Sequence, residues 1–141
     1  MKASLDIELA WGGYYGSTDP ESGKISVFRL LDFNRDAYHA ALFKEKFDRM
    51  PTLEEVTELS PFIGHAPIDA RGMVRHNDLQ YLGCKPLSRE ELEGYAYYLE
   101  AHEVTSNDIE ELFARILGFN AEPPLQLRLE IIDDELVISE L

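Results

Sequence analysis

Strict two-residue alternation at both ends of the chain constrains the fold more than any other feature. Near the N-terminus Leu5, Ile7, Leu9 and Trp11 fall on one side of an extended chain, with Ser4, Asp6, Glu8 and Ala10 opposite. Near the C-terminus Leu125, Leu127, Leu129 and Ile131 repeat the pattern. Each reads as a strand with one apolar face and one wet face. Residues 24–32, KISVFRLLD, are apolar on both sides apart from Arg29, as in a central strand. Residues 135–140 follow Asp133 and Asp134, whose carboxylates suit a tight turn although glycine is absent. These segments predict two terminal hairpins, 4–11 with 24–32 and 125–131 with 135–140, forming a four-stranded, mainly antiparallel sheet.

Helix signals fill the middle. Asn34 is a good N-cap for residues 35–47, where Phe43 and Phe47 stand one helical turn apart. Thr52 to Glu55 is a capping box that starts a short helix to about Leu59. Ser88 to Glu91 is a second box, before a longer helix whose stripe is Leu92, Tyr95, Ala96 and Leu99. His102 falls in its last turn. A further helix from about Asn107 to Leu117 buries Ile109, Leu112, Phe113 and Ile116, with Gly118 as its C-terminal stop. Residues 60–87 show no sustained period; within them MVRH and LQYL fit short strands, and residues 72–82 fit a short helix equally well. The expectation is an α+β fold, a single domain over residues 1–141, with the helices packed on one face of the sheet.

Composition adds where the chain is expected to work. A hydrophobic content of 45% supports a packed core despite a net charge of −14. The single cysteine, Cys84, excludes an internal disulfide framework. Asp6 and Glu8 interrupt any signal-peptide pattern, and no run approaches the roughly 18–20 apolar residues of a membrane span. The expected location is cytoplasmic. The charge is segregated: residues 89–141 carry 14 Asp/Glu and 3 Lys/Arg, whereas residues 1–88 carry 13 and 10. Such a surface repels the phosphates of nucleic acid and of anionic lipid, and favours a basic protein partner.

The stretch WGGYYGST, residues 11–18, invites comparison with a phosphate-binding loop. Gly23-Lys24 leads into Ile25 and a strand, where that loop needs Ser or Thr and a helix N-terminus. The adjacent Gly12 and Gly13 also break the dinucleotide-binding spacing. The stretch is instead expected to be a hairpin loop offering Trp11, Tyr14 and Tyr15 as contact residues. A second contact surface is the acidic helix face of Glu90, Glu93, Tyr97 and Glu100, continued by Asp108, Glu110 and Glu111, with Glu111 and Arg115 as an internal pair.

The residues thus point first to a non-enzymatic binding protein of the inhibitor or immunity type, acting on a basic partner through its acidic C-terminal half. An alternative places a small enzyme or ligand site in residues 60–87. There Cys84 with His65 or His76, plus Asp69 or Asp78, supplies the residue types for a Cys–His nucleophile, with Arg71 in the same polar cluster. His65, Asp69, His76 and Asp78 have the side chains, but not a standard spacing, for a metal. No cofactor motif is present, and neither metal nor cofactor is expected.

Overall fold

The computed structural model describes residues 3–75 and 78–141. Among these residues eight strands build two antiparallel sheets, and the helices lie mainly in the second half of the chain. The three-stranded sheet contains β1 (Ala3–Leu9), β7 (Leu125–Ile132) and β8 (Glu135–Glu140), in the order β1-β7-β8. The five-stranded sheet contains β2 (Gly13–Thr18), β3 (Ile25–Phe33), β4 (Ala37–Phe47), β5 (Ile63–Asp69) and β6 (Gln80–Cys84). Its order is β5-β4-β3-β2-β6.

The C-terminal hairpin matches expectation, with Asp133 and Asp134 at φ 52° and 67° forming its tight turn. The N-terminal hairpin does not. β1 pairs with β7, with Leu5 opposite Leu129, so the two alternating segments are neighbours in one sheet. Their apolar faces, with Ile7, Leu9, Leu127 and Leu129, close on the five-stranded sheet at Tyr15, Leu30, Tyr38 and Ala40. α2 (Arg71–Arg75) adds Met73 and Val74 to this core. Arg71 and Arg75 reach back to Asp134 at 3.2 and 3.6 Å.

The stretch WGGYYGST is therefore mostly a strand, not a loop. Trp11 and Gly12 make the turn out of β1, with Gly12 at φ 85°, and β2 runs between β3 and β6. Gly16 lets Met50 approach, since a Cβ there would meet its sulfur at 2.6 Å. Tyr15 is fully buried between the sheets. Its hydroxyl donates to the Glu8 carbonyl at 2.7 Å and accepts from the Ala10 amide at 3.0 Å. Removing the hydroxyl leaves both backbone groups without that partner, so Tyr15→Phe should lower stability by about 1–2 kcal/mol. Urea denaturation checks this; an unchanged midpoint would show that water replaces the bonds without loss.

The helix expected over residues 35–47 is the strand β4. Asn34 caps a turn instead, accepting from the Ala37 amide at 2.9 Å while Arg35 takes φ 78°. Phe43 and Phe47 are four apart, a spacing that keeps two side chains on one side of a strand as well as of a helix. The capping boxes hold better. Thr52 and Glu55 exchange both bonds at α1 (Leu53–Thr57). Ser88 and Glu91 do the same ahead of a 3₁₀ turn, Glu90–Leu92, and α3 (Glu93–Ala101). α4 (Ser106–Gly118) is capped by Thr105. Gly118 remains helical at φ −63°, and the chain continues into a 3₁₀ turn, Phe119–Ala121.

α3 and α4 cover the five-stranded sheet on the face away from the three-stranded sheet, enclosing Leu31, Leu92, Tyr95, Phe113 and Ile116. α1 completes this layer with Val56 against Tyr14, Val27 and Phe43. One four-stranded sheet with helices on one face is thus corrected to three layers: small sheet, large sheet, helices. Among the described residues no helix is long and apolar enough to cross a membrane.

Candidate functional site

The alternative site in residues 60–87 is dispersed by the fold. β5 and β6 are the opposite edges of the five-stranded sheet, so His65 and Cys84 lie on strands about 19 Å apart at normal strand spacing. Asp69 and Arg71 form their own ion pair at 2.6 Å, which holds the Asp69 carboxyl at about 2. The Cys84 thiol donates to the Trp11 carbonyl at 3.3 Å, and burial pushes its pKa up, away from a reactive thiolate. Asp78 accepts from the Thr18 amide at 2.8 Å, and His76 lies outside the described residues. Among the described residues no three His, Cys, Asp or Glu side chains gather as a metal site.

Trp11, Tyr14 and Tyr15 also change role. Tyr14 and Tyr15 are 3% and 0% exposed, so neither can meet a partner. Trp11 is half-buried, stacked on Phe119 at 4.3 Å with its indole N–H donated to Asp32 at 2.9 Å. The contact surface expected from these three aromatics is corrected to packing against their own sheets, because alternation along β2 sends Tyr14 to the helices and Tyr15 to the sandwich.

A row of polar groups lies beneath the helices. Arg29, Asp32 and His39 are the buried polar or charged residues among those described. A bulge in β3 between Leu30 and Asp32 turns both Leu31 and Asp32 toward the helices. Arg29 spans four segments: its Nε donates to the Gly12 carbonyl, Nη1 pairs with Glu91, and Nη2 donates to the Lys85 and Pro86 carbonyls. Asp32 accepts from Trp11 and, at 2.7 Å, from the Tyr95 hydroxyl, whose pKa burial and the carboxylate both raise.

His39 and His65 meet through Nδ1 and Nε2 at 2.8 Å, stacked with Tyr95. Because Asn34 Oδ1 accepts from Ala37, its Nδ2 faces His39 Nε2 at 3.5 Å. This assigns the His39 proton to Nδ1, donating to His65, and makes both rings neutral. Burial lowers both pKa values, that of His65 to about 4. A lone Arg and an Asp in an otherwise apolar strand were the available signs of this row, since buried charges need partners. The partners themselves lie far away in sequence.

The acidic face survives folding intact. Glu90, Glu93, Tyr97 and Glu100 are all exposed, Tyr97 to 62%, and its hydroxyl donates to Glu93 at 2.7 Å. Glu90 and Glu100 have no ion-pair partner among the described residues. Arg89 is already engaged by Glu110 at 2.8 Å, while the expected Glu111–Arg115 pair does not form. The face therefore presents carboxylates and an aromatic ring with no neutralising cation on α3 itself.

No protein-family model, no curated protein and no solved structure matches this chain.

Proposed function

We propose that this chain is a binding protein whose α3 face receives a basic protein partner, in the manner of an inhibitor or immunity protein. The carrying observation is the shared exposure of Glu90, Glu93, Tyr97 and Glu100 along α3 and the 3₁₀ turn that leads into it, without an ion-pair partner for Glu90 or Glu100 among the described residues. The carboxylates steer a cationic surface into contact, and Tyr97 supplies contact area at low entropy cost. The half-buried Arg29–Glu91 pair ties the start of the helix to β3, which favours a surface set before binding.

The test is affinity capture with the intact protein from its native lysate at low salt, beside a triple variant Glu90→Lys, Glu93→Lys, Glu100→Lys. Capture should be lost in the variant and at 1 M salt, where screening reaches about 3 Å. Retention of the same partner under either condition would rule out this face.

A second reading, small-ligand binding, rests on a cavity of about 390 Å³ beside α3 that touches both ends of residues 60–87, at Pro61, Gly64 and Lys85. Its floor includes Tyr14 and Arg29. Filling it by Ala41→Leu should abolish ligand binding while leaving α3-mediated capture unchanged.

A further inference from the structure

A different cavity, of about 500 Å³, opens between the end of β1, the end of α4 and the segment entering β7. Its size falls within the roughly 300–1,000 Å³ of small-molecule sites. The stacked rings of Trp11 and Phe119 form one wall, and Pro123 and Pro124 another. Proline fixes its own backbone torsion, so this wall is set before any ligand arrives.

Besides the Trp11 indole, four polar side chains line it among the described residues, and two of them are committed to the fold. The Cys84 thiol donates to the Trp11 carbonyl, and the Asn120 amide bonds the Leu87 backbone through both its oxygen and its nitrogen. The other two are Arg115 and Glu122, both exposed, with no ion-pair partner among the described residues. Among the described arginines only Arg115 and Arg35 hold no carboxylate, and Arg35 lies away from this cavity. One helical turn back from Arg115, Glu111 does not pair with it, and the arginine charge is felt at the Tyr95 hydroxyl.

Opposite charges that line one apolar cavity without pairing to each other select the ligand by sign. A simple amphipathic anion would meet Glu122, a simple cation would meet Arg115, and a neutral molecule would use neither. Only a ligand carrying both charges satisfies the two groups at once. We propose that this cavity binds an apolar α-amino acid as its zwitterion. The carboxylate sits on Arg115, the ammonium on Glu122, and the side chain between the aromatic pair and the prolines. Arg suits the carboxylate because its planar fork donates two parallel bonds.

Trp11 is the chain's one tryptophan, so its indole N–H resonance reports on this wall alone. The intact, isotope-labelled protein is titrated with L-leucine, N-acetyl-L-leucine and L-leucinamide while the Trp11 indole and Gly118 amide resonances are followed. Leucine should shift both saturably, and each single-charge analogue should bind about fivefold more weakly, the order expected of one rim charge pair. These analogues also stand for a peptide C-terminus and N-terminus, so their order separates a free amino acid from a chain end. Arg115→Gln should weaken leucine and leave leucinamide unchanged; Glu122→Gln should weaken leucine and leave N-acetyl-leucine unchanged. Thermal melts of both variants should stay close to the parent, since neither side chain has an ion-pair partner to lose among the described residues. Absence of saturable shifts, equal affinity for the three compounds, or leucine binding unchanged in both variants would overturn the proposal.

Discussion

Replacing Arg29 by methionine should lower the unfolding free energy by about 2–3 kcal/mol, the order expected when carbonyls beneath the helices lose a charged donor. The side chain is 5% exposed, and methionine keeps much of its apolar stem. What disappears is the cation of Glu91 and the donors to the Gly12, Lys85 and Pro86 carbonyls. These lie on the turn before β2, the loop after β6 and the start of the α3 layer, so one residue ties together three otherwise separate connections. Its guanidinium also lies over the Tyr14 ring at 5.0 Å. The reciprocal change Glu91→Gln should cost less, about 1–2 kcal/mol, because Glu91 is 37% exposed and water reaches the remaining pair. Urea denaturation of both variants measures the difference. A loss below about 1 kcal/mol for Arg29→Met would show that the carbonyls are satisfied without it.

That clamp also illustrates what was legible in the sequence. Arg29 stood out as the polar exception in an apolar strand, but Glu91 lies 62 residues away and no local pattern joins them. Local signals succeeded where the physics is local. The capping boxes at Thr52 and Ser88, the Asp133-Asp134 turn and the exposed face of α3 each depend on residues within a turn or two. Strand partners do not. β1 alternates cleanly, yet its alternation is equally compatible with β2, β3 or β7 as neighbour, and only the closing of the sandwich selects β7. Residues 37–47 contain good helix formers such as Ala41, Leu42 and Lys44. Burial on both faces between β3 and β5 overrides that weak propensity. The meeting of His39 with His65 was invisible for the same reason, since one was assigned to a helix and the other to an irregular segment.

Lowering the pH from 7.5 to 4 should destabilise the protein by about 2–3 kcal/mol through this histidine pair, after allowing for the partial exposure of His65. Both folded pKa values lie below the ordinary 6.5, that of His65 at about 4. The folded state therefore resists protons that the unfolded chain accepts. The contribution is fully present above about pH 6.5 and is lost progressively as the pH falls toward 4. The network explains the resistance: His39 Nδ1 already donates to His65 Nε2, so a proton added there would set two N–H groups facing each other. Asp32 opposes the shift at His39, while Tyr95 and Tyr98 flank the pair without supplying a carboxylate. The ion-paired carboxylates Glu55 and Asp69 lose their stabilisation lower in the scale, between their ordinary values near 4 and their folded values near 2. The window between 4 and 6.5 thus belongs chiefly to the imidazoles. Urea midpoints across that window should slope for the parent and slope less in His65→Gln, which removes one of the two titrating rings. A flat parent profile, or an unchanged slope in the variant, would place the pH response elsewhere.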